Sequence, residues 1–237
     1  MNTRISHIIL QTLLLVCVPV FLITTNVRLV LNSGMLYDYG FNKYKIENYT
    51  GIEYEQLQIA GQQIRDYFNN DEDRIKISIS VHGRMVSNLF NEKEILHMYD
   101  VKQLVKMVYS FQLYSAILII IVCLIVFVDS SSKWGNTMLR YFMKGGWLTF
   151  SLVLFVAFLA LVGFDRLFLY FHLVSFSNDL WILDPRHDYL IAMFPQGFFF
   201  DCTAAIAILT FLEGSLLGLL PSLVRLSKTG IKGISRL

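Results

Sequence analysis

Apolar positions fall into four long runs, separated by polar stretches of unequal length. The runs are roughly Ile8–Val27, Met107–Val128, Leu148–Tyr170 and Gly197–Leu220. Each is about 20 residues long, the length of helix that crosses bilayer hydrocarbon. Between the first two runs the period changes. In "TGIEYEQLQIAGQQIRDYFNN", Leu57, Ala60, Ile64, Tyr67 and Phe68 form one stripe at helical spacing. Thr50 and Glu53 are spaced as a capping box at its start. "RIKISISV" alternates, with Ile75, Ile77, Ile79 and Val81 on one face, and predicts a half-buried strand. Met35–Ile46, rich in tyrosine and phenylalanine and interrupted by Gly40, is expected to supply one or two partner strands. Asn91 and Glu94 mark another helix start, leading through "EKEILHMYDVKQLVKMV" into the second run.

The pattern predicts a membrane protein of four transmembrane α-helices. A small α+β extracellular cap is inserted between helices 1 and 2. In this division residues 1–28 hold transmembrane helix 1 and residues 29–106 the cap. Residues 107–220 hold helices 2–4 with an outer loop at 172–195, and residues 221–237 form a basic cytoplasmic tail. A cap of that size buries too little apolar surface to be robust alone and is expected to rest on the membrane helices.

Composition sharpens the class. The 237 residues are 55% hydrophobic and 16% charged, whereas soluble domains are nearer a quarter charged. The first run has a basic start at Arg4 but no small-x-small cleavage site, so it reads as a retained helix. "LLLVC", ending at Cys17, fails as a lipobox because Val16 is bulky and Pro19 follows closely. Cys17, Cys123 and Cys202 are scattered, which argues against a disulfide framework and a zinc site. Orientation follows from cations in short loops. Asp129–Trp147, read as a loop, carries Lys133, Arg140 and Lys144 against one acid. The tail carries Arg225, Lys228, Lys232 and Arg236. The stretch 172–195 carries one arginine against three aspartates. Both termini are therefore expected in the cytoplasm, with the cap and the 172–195 loop outside. The acidic outer face excludes nucleic acid as a partner. The basic tail suits anionic membrane lipid.

The polar residues at the outer edge carry the candidate chemistry. His97 and Asp100 in "LHMYDVK" lie on one helix face. They make either a surface hydrogen bond or a histidine oriented by a carboxylate for acid–base work. His172 directly follows "LFLYF", where the third run meets the interface, and an ionisable group there is either a functional residue or an interfacial histidine snorkelling beside its aromatic neighbours. Asp179, Asp184 and Asp188 suit loop-holding roles, with Asp184 before Pro185 as a turn opener. Trp181, Phe194 and Phe198–Phe200 fit an interfacial aromatic belt or an acyl pocket. Metal binding has no HExxH-like pair to support it. Serine catalysis has no GxSxG elbow. The thiols of Cys17 and Cys123 lie inside apolar runs, where a thiolate is disfavoured. From the residues alone three classes stay open: an enzyme of the membrane interface, a non-enzymatic membrane anchor or sensor with an outer ligand-binding cap, and a metal-dependent membrane hydrolase.

Four runs, an outer cap, "LHMYDVK" before the second run and "FHLVSFSNDLWILDPRHDYLIAMFPQGFF" between the third and fourth resemble the bacterial lipoprotein intramolecular transacylases, called Lit. The resemblance spans nearly the whole chain in motif order, and is weaker in the cap, where Tyr37–Asp73 carries no motif. It implies acyl transfer within a diacylated lipoprotein substrate at the bacterial cell membrane. The sn-2 acyl chain of the S-diacylglyceryl group moves to the α-amine of the N-terminal cysteine and gives the lyso-form. The implied catalytic residues are His97 and His172. Orienting, oxyanion or substrate-binding candidates are Asp100, Lys102, Asn178, Asp179, Trp181, Asp184 and Arg186. No metal or cofactor is expected, and the partners are the lipoprotein and membrane lipid, with the protein a monomer. Convergence of His97 and His172 would demand a bend, tilt or break near Asp100–Lys106, or a site raised into the cap.

Overall fold

The structure, a computed structural model, describes residues 3–129 and 134–234, without the side chains of 3–6, 223 and 225–234. The side chains of Arg4, Lys133, Arg225, Lys228, Lys232 and Arg236, which the orientation reading uses, lie outside the described residues. The chain order is α1 (Thr3–Asn32), α2 (Gly34–Lys43), α3 (Ile46–Thr50), α4 (Tyr54–Asn69), β1 (Ile79–Val81), β2 (Arg84–Val86), α5 (Glu92–Asp129), α6 (Trp134–Ser175), α7 (Tyr189–Met193) and α8 (Gln196–Ile234). Helices α1, α5, α6 and α8 are long and apolar enough to cross a membrane. At 38 and 42 residues, α5 and α6 would extend about 57 and 63 Å, about twice the hydrocarbon thickness.

The stretch Asp129–Trp147, read from sequence as a loop, is mostly helix, because α6 begins at Trp134. Thr137, Met138, Tyr141, Gly145 and Thr149 are buried at three- and four-residue steps while Arg140 and Lys144 are exposed. Its polar residues are thus the wet face of an amphipathic turn. Of the alternatives of a bend, tilt or break near Asp100–Lys106 or a site raised into the cap, a break does not occur. No interruption falls within α5, whereas helical dihedrals in α6 are interrupted at Gly163, nine residues before His172. Likewise α8 continues as helix through Pro221 into the segment read as tail.

The chain divides into two compact units. One comprises residues 1–26, 109–158 and 206–237. Its core gathers Leu14, Val18, Val122, Val126, Met138 and Tyr141. Small residues let two of its helices touch through their backbones: a Cβ built on Gly146 would stand 2.6 Å from the Gly218 nitrogen and 2.7 Å from the Gly214 oxygen. Gly214 and Gly218 have the four-residue spacing that helices use for close approach in lipid. Asn26, fully buried, donates to Thr210 Oγ1 (3.0 Å) and Glu213 Oε2 (2.7 Å).

The other unit comprises residues 27–108 and 159–205. The α4 stripe is buried as its period requires, with Gly61 added. The capping box expected at its start does not form. Thr50 ends α3, its hydroxyl donating to the Ile46 carbonyl (2.8 Å), and Glu53 caps α4 without a side-chain bond. Met35–Ile46 is not a pair of strands but α2 and the start of α3. Gly40 interrupts nothing there. Its missing side chain admits Phe198, whose Cδ2 would lie 2.4 Å from an added Cβ. Ile75, Ile77 and Ile79 are buried as the alternation predicts, but only Ile79–Val81 is paired as strand. Side chains of α4 satisfy the neighbouring backbone instead: Gln63 exchanges bonds with Ser78 (2.8 and 2.9 Å) and Gln56 accepts the Ser80 N–H (2.7 Å). β1 and β2 form an antiparallel hairpin turned at His82 and Gly83, both with positive φ. Such a turn matches strand twist.

Gly146→Ala should push two helix backbones apart. Its thermal midpoint in detergent should fall by several degrees, the usual effect of overpacking worth about 1–3 kcal/mol. Gly135→Ala, with nothing within 4 Å of the added carbon, should match or exceed wild type. Equal midpoints for the two variants would show that the contact is not tight.

Candidate active site

His97 sits in the second turn of α5, and the start of that helix is fixed by polar bonds. The Asn91 side-chain oxygen accepts the Glu94 N–H (3.1 Å), and Glu94 Oε2 accepts the Asn91 N–H (2.7 Å). This is the reciprocal capping box that the spacing predicts. Glu94 Oε1 also accepts the Leu190 N–H at the start of α7 (2.6 Å). A carboxylate only 1% exposed therefore ties the beginnings of two helices together.

The loop after α6 is fastened to the same helix at further points. Asn178 donates to Asp100 Oδ2 (2.9 Å) and accepts the Leu180 N–H (3.0 Å). The Lys93 ammonium bonds the Ile182 carbonyl. Asn91 Nδ2 donates to Asp188 Oδ1 (2.8 Å), and Asp188 Oδ2 accepts the Asp184 N–H (2.7 Å). The Asp184 carbonyl accepts the N–H groups of His187 and Asp188, making the turn expected at Asp184–Pro185. Asp184 is gripped by the Arg186 guanidinium at both oxygens (2.6 and 3.0 Å). That contact holds its carboxyl well below the usual carboxylate range.

These bonds hold an irregular segment against two imidazoles. The rings of His97 and His172 lie 6.3 Å apart, centre to centre, at an interplanar angle of 28°. They are 7% and 8% exposed. The walls are aromatic. Phe168, Trp181, Phe171 and Phe176 stand 4.5, 5.0, 5.2 and 5.7 Å from the His172 ring, and Phe176 stands 5.2 Å from His97. His172 Nδ1 lies 2.7 Å from the Phe168 carbonyl. A carbonyl only accepts, so Nδ1 carries the proton and Nε2 of the neutral ring presents a lone pair. His97 Nδ1 and Trp181 Nε1 are buried and meet no partner from the protein among the described residues. A cavity of about 250 Å³, lined by Asp100, Gln103, Leu104, Met107, Phe176 and Asn178, shares Phe176 with the wall of the pair.

The remaining candidates are spread unevenly. Asp100 bonds Asn178 rather than His97, so the carboxylate-oriented histidine considered from spacing does not form. The Lys102 ammonium, 1% exposed, is held by Asn70 Oδ1 (2.8 Å), the Glu72 carbonyl (2.6 Å) and the face of Tyr67. It lies in a network separate from the imidazoles. Arg186 is engaged by Asp184, and exposed Asp179 contributes its carbonyl to the Ile182 N–H. Among the described residues no group of three His, Cys, Asp or Glu side chains is placed to hold a metal ion. Sequence reasoning missed the second bond of Glu94. The capping-box spacing marked it as a helix start, and only the fold brings Leu190 to its other oxygen.

A family model described as lipoprotein intramolecular transacylase Lit matches residues 12–199. The chain belongs to the Lit family. It is thus an acyltransferase by family. The solved membrane-integral transacylase Lit of Bacillus cereus has the same fold, with a TM-score of 0.78 at 17% identity over 94% of this chain and 98% of that one. Two further structures of the Bacillus cereus protein carry a histidine replaced by arginine and by alanine. Each gives a TM-score of 0.74 at 16% identity over 96% of this chain and 96% or 97% of that one. No curated protein matches the chain. With four apolar helices and a membrane-integral relative, this Lit chain is a multi-pass membrane protein.

Glu94→Gln should weaken the site's frame, because an amide must turn an N–H donor toward one of two backbone donors. Leaving one buried donor unmet costs about 1–3 kcal/mol. The thermal midpoint should drop clearly, while Glu92→Gln, a change at an exposed residue, should have a much smaller effect. An unchanged midpoint for Glu94→Gln would remove the carboxylate from this role.

Proposed function

We propose that the protein moves the sn-2 acyl chain of an S-diacylglyceryl lipoprotein onto the α-amine of its N-terminal cysteine, with His97 and His172 as the catalytic pair. The observation that carries this is the approach of two buried imidazoles within an aromatic wall, in a chain of the Lit family. Attack by the amine closes an eight-membered ring through the sulfur and two glycerol carbons. Such a ring closes reluctantly in solution, so holding amine and ester together supplies much of the rate. The cysteine amine has an ordinary pKa near 8. It must lose a proton as its nitrogen bonds to the carbonyl carbon, and the departing glycerol oxygen must gain one. The histidine pair carries that single proton between the two events. His172 is the better placed acceptor, since its Nδ1 is already committed and its Nε2 lone pair is not. No acyl-enzyme is needed. Phe168, Phe171, Phe176 and Trp181 exclude water, which favours transfer over hydrolysis.

The same reading orients the molecule. The segment from α2 to β2 and the loop after α6 face the outside of a bacterial cell membrane, where mature lipoproteins display their acylated cysteine. Both termini face the cytoplasm, and the protein works as a monomer among lipids without a cofactor.

Purified protein should convert a synthetic diacylglyceryl lipopeptide to a product of unchanged intact mass whose fragmentation shows one acyl group on nitrogen. Loss of a chain would instead mark a hydrolase, and an unaltered peptide a binding protein. General acid–base groups are worth about 10²–10⁴-fold each. His97→Ala and His172→Ala should each lower turnover on that scale. The double variant should cost less than their product, because the two act as a unit. His82→Ala and His187→Ala should stay near wild type. Normal turnover by His97→Ala would end the assignment.

Orientation has a separate check. Met85→Cys, at an exposed hairpin position, should react with an impermeant thiol reagent in whole cells, and Asn136→Cys should not. The reverse labelling would place the imidazoles on the wrong side for mature lipoproteins.

A further inference from the structure

We infer that Trp181 donates its indole N–H to the carbonyl oxygen of the migrating acyl ester and holds the oxyanion of the transfer step. This rests on the acyl-transfer reading above. When the amine lone pair forms the C–N bond, the carbonyl π pair moves onto oxygen. That oxygen needs a donor already in place. When the C–O bond breaks, its pair leaves on the glycerol oxygen, which takes the proton the histidines carry. The oxyanion then returns to a carbonyl, now of an amide.

The donors near the pair are few, and most are engaged. His172 Nδ1 bonds the Phe168 carbonyl, and the Asn178 amide bonds Asp100. The Arg186 guanidinium grips Asp184, and the Lys102 ammonium is spent on Asn70 and Glu72. Phe168, Phe171 and Phe176 offer no donor at all. Among the described residues two nitrogens at the pair are buried without a protein partner, His97 Nδ1 and Trp181 Nε1, and His97 belongs to the couple that carries the proton, which leaves the indole as the fixed donor. The Trp181 ring lies 5.0 Å from the His172 ring at 35°. An indole N–H lies in its own ring plane, so at that tilt it runs more along the imidazole than into its face. It makes no hydrogen bond to the imidazole, and no protein acceptor among the described residues takes it up. Bonds at Asn178, Ile182 and Asp188 fasten the loop on both sides of residue 181. The donor is therefore fixed in place before substrate arrives, as a preorganised oxyanion donor must be.

The test compares Trp181→Phe with wild type on two lipopeptides, one with the ordinary sn-2 ester and one with a thionoester, whose C=S sulfur accepts hydrogen bonds weakly. On the ordinary ester the variant should lose about 10²–10³-fold in kcat with KM little changed, as for loss of one oxyanion donor. On the thionoester the loss should shrink severalfold or more. The pH profile of the variant should overlay that of wild type. Equal losses on both substrates, or a shifted profile, would make Trp181 a support for His172 and overturn the inference. For wild type, the indole ¹⁵N–H resonance of Trp181, in protein carrying Trp134→Phe and Trp147→Phe, should move downfield on binding an N-acetylated, unreactive diacylglyceryl lipopeptide. This arm stands even where Trp181→Phe fails to fold, and no movement at saturation overturns the inference. Absence of N-acyl product from wild type would defeat the acyl-transfer reading and this role with it. Product formation with equal losses defeats only the role of Trp181.

Discussion

A single carboxylate joins a helix to a loop, and the site's geometry depends on it. Glu94 accepts one N–H from the chain entering α5 and another from the start of α7. A helix start leaves several backbone donors without partners, and two such starts meet here. Burying them without an acceptor would cost more than either helix gains from local propensity. Once Glu94 and Asn91 are in place, Asp188, Asp184 and Arg186 follow as a chain of bonds along the loop. Arg186 keeps Asp184 ionised well below neutral pH, so this end of the loop does not loosen in the range where histidines titrate. These bonds and ring contacts together hold Trp181 and Phe176 against the imidazoles.

The long helices obey a different constraint. In lipid, apolar side chains gain little from one another, and contact depends on how closely backbones can come. Gly146, Gly214 and Gly218 meet that requirement in one unit. Gly40 works differently in the other unit, where its missing side chain makes room for the Phe198 ring. The same residue type also marks the interruption in α6 at Gly163, where no neighbour lies within reach of an added carbon. There glycine does not make room. It is the residue that leaves a helix most cheaply.

Periodicity made the strongest features legible. Four apolar runs correspond to four long helices, the α4 stripe is buried at the expected positions, and the Asn91–Glu94 box forms. It failed where two structures share one composition. Tyrosine- and phenylalanine-rich Met35–Ile46 suits a strand by propensity, yet its aromatic residues bury Tyr37, Gly40 and Phe41 at helical steps. Alternation through Ile75–Ile79 was real, but strand pairing begins only at Ile79, and glutamines of a helix take up backbone groups at Ser78 and Ser80. Cations in Asp129–Trp147 looked like a loop because a helix leaving the hydrocarbon keeps one polar face. The pairing of His97 with His172 came from resemblance rather than spacing, since nothing local in either motif points at the other. The commitments of Lys102, Arg186 and Asn178 were hidden for the same reason: Asn178 depends on a partner 78 positions away, Lys102 on partners 30 and 32 positions away, and Arg186 on a turn that only the fold closes.

Those commitments decide what the site can do. Most polar groups around the imidazoles are spent on architecture, and what faces the pair is aromatic. A wet site with a free carboxylate beside the histidine would activate water as readily as an amine. Here the polar bonds are turned into the loop, and among the described residues His97 Nδ1 and Trp181 Nε1 are buried at the pair without a partner. A substrate that brings its own nucleophile needs little more than a place for one proton and one developing negative charge. An arrangement this sparse therefore suits transfer within one molecule better than attack by a second reactant, which would need its own binding groups and its own base.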